Sequence, residues 1–160
     1  MEEILMMTKI LVPRLIVLLA FVCAPLVHAQ ELKTTVNPDH LANTTQFGYS
    51  QAVVVSPNAP VIYVAGQIGI SDNGPNDFES QVDRSFDNLI AVIEAAGGRV
   101  ENVVKITLLV RNMDAQKLQF LVAKRRAVFG EHPPASTLIP VPELALPSLE
   151  FEIDAIAIVN

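Results

Sequence analysis

The chain has 160 residues, 51% of them apolar and 18% charged, with a formal net charge of −6. This length and balance suit one domain with its own packed core and exclude an intrinsically disordered chain. A single cysteine excludes a disulfide framework or a Cys-based zinc site. An acidic chain whose longest basic run is Lys124-Arg125-Arg126 is not built to bind by neutralising phosphates.

The first thirty or so residues read as a targeting segment. Lys9 and Arg14 precede the uncharged run Leu15 to Ala24, Pro25 breaks it, and Val27-His28-Ala29 supplies an A-x-A-like cut. The run is about half of the roughly 20 apolar residues that span a bilayer, so a permanent anchor is not expected. The expectation is a secretory signal, residues 1–29, cleaved before Gln30, with no stable membrane insertion afterwards. That puts the mature protein in the periplasm or outside the cell. Cys23 leaves with the leader, and a Cys-free mature chain suits an oxidising compartment.

Residues 30–46 are polar and without period, and read as an N-terminal arm or short edge strand. Phe47 to Ser56, with the run Val53-Val54-Val55, and Val61 to Ile70 read as two strands. The turn signal Pro57-Asn58 between them predicts a hairpin. Ser71 to Asp77 is a loop by composition. Asn76 or Asp77 then caps a helix, with Glu79 at capping-box spacing from Asn76. Phe78, Val82, Phe86, Leu89, Ile90 and Ile93 recur at helical spacing and predict one buried stripe, and Gly97-Gly98 ends the helix. Asn102 to Arg111 reads as a largely buried strand. A second helix from near Asp114 to Phe129 is expected to bury Leu118, Leu121, Val122 and Phe129. Two strands follow, Ser136 to Val141 and Leu149 to Val159.

The order β-β-α-β-α-β-β predicts an α+β domain, a mixed sheet with both helices on one face. The last strand alternates: Leu149, Phe151, Ile153 and Ala155 on one side, and Glu150, Glu152, Asp154, Ile156 and Ile158 on the other. A face that begins acidic and ends apolar predicts burial against another subunit, with the carboxylates near the seam.

Familiar catalytic arrangements are missing. His40 and His132 lack paired ligand spacing, so no metal site is expected. No G-x-S-x-G elbow is present, and Gly66 and Gly69 lie within a strand rather than at a phosphate-binding turn. Lys124-Arg125-Arg126 reads as a solvated helix face near a helix C-terminus.

The chain nevertheless resembles the Rid family, also called YjgF/YER057c/UK114. The resemblance rests on Gly48-Tyr49-Ser50-Gln51-Ala52, Val64-Ala65-Gly66-Gln67-Ile68, Glu94-Ala95-Ala96-Gly97-Gly98, Val104-Lys105-Ile106-Thr107, Pro134-Ala135-Ser136-Thr137-Leu138 and Leu149 to Ala157, in that order. It implies a homotrimer with a small-molecule cleft at each subunit interface, used by deaminase members to hydrolyse enamines or imines without a cofactor. Carried over, Glu152 positions the water and Tyr49 lines the pocket, making these two the catalytic candidates. Gly66, Gln67, Ser136 and Leu138 are the substrate-binding candidates.

The family's carboxylate-clamping arginine is replaced by Ser136 and its usual cysteine by Leu138, while Pro140 interrupts the strand. A guanidinium–carboxylate contact is worth about 1.5–3 kcal/mol, and Ser supplies neither charge nor fork. Activity on 2-imino acids is therefore not carried over, and Arg111 and Arg125 are expected to face solvent. Three functions stay open: hydrolytic deamination, a non-catalytic ligand-binding or protein-protecting module using the same cleft, and RNA cleavage. The net charge opposes RNA cleavage, and no nucleic-acid partner is expected.

Overall fold

A computed structural model of the protein describes residues 32–159; the expected signal segment and its cleavage point lie outside them. Three segments precede the first long helix: β1 (Lys33–Val36), β2 (Ala52–Val55) and β3 (Val61–Gln67). Then come α1 (Phe78–Ala95), β4 (Gly98–Arg111), α2 (Ala115–Phe129), β5 (Ala135–Val141) and β6 (Phe151–Val159). The main sheet has the order β3-β6-β4-β5. β6 runs antiparallel to both of its neighbours, and β4 runs parallel to β5. Each helix therefore joins two strands that point the same way, and β6, last in sequence, fills the gap between β3 and β4. The α+β class with a mixed sheet is as the patterning predicts.

The core lies between this sheet and the helices. Phe78, Val82, Phe86, Leu89 and Ile93 of α1 are buried against Val103, Ile106, Leu108 and Val110 of β4 and Phe151, Ile153, Ala155 and Ala157 of β6. Phe86 stacks on Phe151 at 6.1 Å with an interplanar angle of 10°, while Phe78 meets the same ring edge-on. Offset and edge-on pairs of this kind add to the burial energy of the rings. The N-cap of α1 is Asp77, whose carboxylate accepts the Ser80 amide hydrogen. That bond to the charged form holds the carboxyl below its ordinary pKa.

Three details depart from the sequence-based expectation. First, β2 and β3 form no hairpin: β2 pairs with β1, and β3 pairs with β6. The cause is local anchoring. The Ser50 amide and hydroxyl donate to the carbonyls of Pro134 and Pro133, both at 2.8 Å, and Lys33 donates to the carbonyls of Val103 and His132. These bonds tie the β1–β2 ribbon to the start of β5 and leave the outer edge of β3 unpaired among the described residues. Second, Leu118 is 45% exposed and Val122 only half-buried, because that stripe of α2 faces a cavity rather than the core. Third, Ile158 is buried although strand alternation assigns it to the open face, and Glu150 precedes β6 and pairs with Lys117 at 2.7 Å.

Candidate functional site

Strand alternation places the predicted site residues in two groups on opposite faces of the sheet. Glu152, on β6, is opposite Leu109 of β4, whereas the core faces of those strands carry Phe151 and Leu108. The Glu152 carboxylate therefore stands on the face away from the helices, together with Tyr63, Asp154, Ile156 and Thr107. Tyr63 is 79% exposed there, and no other element covers this face among the described residues.

Gly66 explains how the carboxylate reaches its position. The β3–β6 register shifts between Val64 and Gln67, so the backbone bulges at Ala65-Gly66. The Glu152 side chain occupies the space a side chain at residue 66 would need: an added Cβ would lie 1.8 Å from Glu152 Oε1. Gln67 turns back on the bulge, its side-chain amide donating to the carbonyls of Ala65 and Gly66 at 3.0 and 3.3 Å. It braces the backbone at this point. The Glu152 carboxylate makes no ion pair or hydrogen bond among the described residues. A half-buried carboxylate with unused lone pairs, lying over bare backbone, is equipped to hold and polarise a water or a polar ligand.

The second group lies on the helix side, at the β5 edge. Ser136 and Leu138 align with Ile106 and Leu108 of β4, which face the core, so both point toward α2. With Tyr49, Phe47, Leu118 and Val122 they line a cavity of about 680 Å³. Tyr49 reaches it because Gly48 ends a short 3-10 turn (Thr45–Phe47) at φ 75° and passes tight against α2. A Cβ at residue 48 would come within 2.9 Å of Arg125 Cβ and the Arg126 amide nitrogen, so only glycine fits that approach.

Sequence reasoning misplaced two arginines. Arg125, expected to face solvent, is only 3% exposed and donates from Nη1 to Ser136 Oγ at 3.3 Å, with the Tyr49 ring 5.4 Å from its Cζ. The flanking Lys124 pairs with Asp83 at 3.0 Å, and of the three basic residues only Arg126 is exposed. Helical phase is the signal that finds it: residue 125 is four beyond Leu121 and four before Phe129, on the buried stripe. Arg111, also expected in solvent, is half-buried and donates to the Pro147 carbonyl.

Comparison with known proteins establishes the family. The family model described as Endoribonuclease L-PSP matches residues 41–159. This chain belongs to that family, the Rid/YjgF family. It is 34% identical over 114 residues to a RutC family protein of Pyrococcus abyssi, covering 68% of this chain and 84% of that one. Over 104 residues it is 34% identical to the 2-iminobutanoate/2-iminopropanoate deaminase of Escherichia coli K12, covering 61% and 79% respectively. Among solved structures, a Rid-family protein of unknown function from Yersinia pestis superimposes with a TM-score of 0.76 at 30% identity, covering 81% of this chain and all of that one. A YjgF/YER057c/UK114 family member from Mycobacterium tuberculosis gives 0.55 at 25% identity, covering 79% and 99%. Membership accounts for the fold.

Proposed function

We propose that this Rid-family chain is exported to the periplasm or beyond, assembles as a homotrimer, and uses Glu152 to hydrolyse an imine or enamine of a small metabolite without a cofactor. The observation that carries the proposal is the Glu152 carboxylate lying over Gly66 on an uncovered sheet face. Half-exposed Leu109 and Ile156, with Tyr63 and Ile139 exposed beside them, give that face the apolar character of a surface that other copies cover. Export rests on the leader alone. Deaminase-named relatives support the reaction class.

The chemistry asked of Glu152 is modest. Its carboxylate accepts a proton from water as the water oxygen bonds to the C=N carbon, and passes it to the nitrogen, giving a neutral carbinolamine. It then takes the carbinolamine hydroxyl proton and delivers it to the amine as the C–N bond breaks, so that ammonia leaves and a carbonyl product remains. Water is consumed, ammonia is released and Glu152 is regenerated. General acid–base assistance of this kind typically contributes about 10²–10⁴ in rate. Tyr49 lines the cavity on the other face of the same protomer, so in this reading it acts on ligand capture.

Ser136 and the inward-turned Gln67 favour a second reading, a non-catalytic ligand-binding or protein-protecting module using the same inter-subunit cleft. The test generates 2-iminopropanoate in place and follows its decay with the protein and with Glu152→Gln, alongside binding of 2-oxopropanoate. Accelerated decay that the variant loses supports hydrolysis. Unaccelerated decay with retained binding identifies the module. Light scattering tests the assembly, and a monomer contradicts the trimer.

A further inference from the structure

A second cavity, of about 490 Å³, opens between the C-terminal end of α2, strand β1 and the turn that precedes β2. Its volume lies within the range of small-ligand sites. Thr35, Thr45, Ser50, Arg126 and Glu131 form most of its wall, with Pro133 as the one apolar side chain. Of these residues only Arg126 also borders the cavity between α2 and β5. A wall of hydroxyls and charges suits a ligand that is polar over most of its surface.

Two opposite charges stand on this wall without meeting. Arg126 and Glu131 are both exposed, and the ion pairs among the described residues have other partners: Arg99 with Glu101, Lys117 with Glu150 and Lys124 with Asp83. Gly130 leaves the helix at φ 52°, in the left-handed region that favours glycine, so Glu131 does not continue the α2 surface that carries Arg126. The neighbouring hydroxyls are placed to accept. Thr45 spends its hydrogen on Asn43 Oδ1 at 2.6 Å and Ser50 spends its own on the Pro133 carbonyl at 2.8 Å, which leaves lone pairs on both oxygens. The C-terminal end of α2, the negative end of its dipole, lies at the same wall.

A simple anion at this wall meets the Glu131 carboxylate and the negative helix end, and a simple cation meets the Arg126 guanidinium. A molecule carrying both charges satisfies both. We propose that the cavity at the C-terminal end of α2 binds a small zwitterion, its primary ammonium held by Glu131 with the Thr45 and Ser50 hydroxyl oxygens and its acid head by the Arg126 guanidinium. Both charged side chains are exposed, so each contact is worth a few-fold in affinity rather than a hundredfold. The site shares no residue with the Glu152 face, and its test reads binding rather than turnover.

The experiment titrates the protein with β-alanine, with propanoate and propan-1-amine as analogues that each keep one of its charges, and follows backbone amide resonances by NMR. β-Alanine is expected to bind about threefold or more tightly than either analogue, the scale of one exposed charged contact. It is expected to move the amide resonances of Thr35, Thr45 and Glu131 rather than those of Leu118 and Leu138, which line the other cavity. Glu131→Gln, at an exposed position bordering this cavity alone, is expected to lower β-alanine to the affinity of propanoate. Arg126→Gln is expected to lower it to that of propan-1-amine. β-Alanine binding no more tightly than the analogues overturns the proposal, as does unchanged affinity in Glu131→Gln. Still resonances at Thr35, Thr45 and Glu131, or movement centred on Leu118 and Leu138, refute the site.

Discussion

Two glycines, three residues apart, make opposite predictions. At Gly66 an added Cβ would lie 1.8 Å from Oε1 of Glu152, 2.8 Å from its carboxyl carbon and 3.1 Å from Cγ, all atoms of one half-exposed side chain. That side chain can swing aside at the cost of an off-rotamer torsion, about 0.5–1.5 kcal/mol. Replacing glycine recovers about 0.4–1 kcal/mol of unfolded-state entropy. These nearly cancel, so Gly66→Ala should change stability by less than about 1 kcal/mol while displacing the Glu152 carboxylate. At Gly69 the added Cβ would lie 2.0 Å from the backbone carbonyl oxygen of Gln81, within α1. That oxygen also accepts from Ser85, and the Gly69 carbonyl accepts from Arg84. The helix and the segment that follows β3 must separate, which places Gly69→Ala at or beyond the upper end of the about 1–3 kcal/mol range for overpacking. Urea unfolding of both variants, with imine hydrolysis measured on each at a concentration where it is folded, separates the effects. Gly66→Ala should be stable and inactive; Gly69→Ala should be destabilised and, where folded, active. A Gly66→Ala protein with full activity would refute the claim that this glycine exists to seat Glu152.

Two further outcomes follow from the packing and from the ribbon's anchor. Phe86→Ala removes the ring that stacks on Phe151 and approaches Phe129 at 6.2 Å; it should cost about 3–5 kcal/mol, seen as a lower urea midpoint at unchanged slope. Burial pulls Lys33 from 10.5 to about 8, opposed by the Glu101 charge. The unfolded chain keeps that proton up to its higher pKa, so stability rises with pH across the window from about 8 to 10.5 and is flat in this group below it. Thermal midpoints at about pH 7.5 and pH 10 should therefore show wild type gaining on Lys33→Met, and parallel behaviour would contradict the buried ammonium.

How much of this was legible beforehand varied with the range of the interactions. Helix α1 was largely readable because period and terminator agree: the Phe78-to-Ile93 stripe is the core except for half-buried Ile90, and Gly97-Gly98 ends it, while Asp77 with Ser80, not a box of Asn76 with Glu79, caps its start. Strand β6 was readable from its alternation. The β2–β3 hairpin was not, since Pro57-Asn58 is a turn signal in either topology. What decides the pairing is the bonding of Ser50 and Lys33 to segments more than 60 residues away, which no local pattern encodes. Arg125 was misjudged because its basic neighbours suggested a solvated run, although its phase with Leu121 and Phe129 placed it inside. The split of the site escaped for a related reason. Residue order gives strands, but which face Ser136 presents depends on its parallel register with Ile106.

The central claim is that Glu152, held over Gly66, performs the hydrolysis, and the most direct measurement is ammonia release from 2-iminopropanoate by Glu152→Gln shown to keep the wild-type thermal midpoint. The account predicts a fall to the spontaneous rate. Release at the wild-type rate from that folded variant would contradict it.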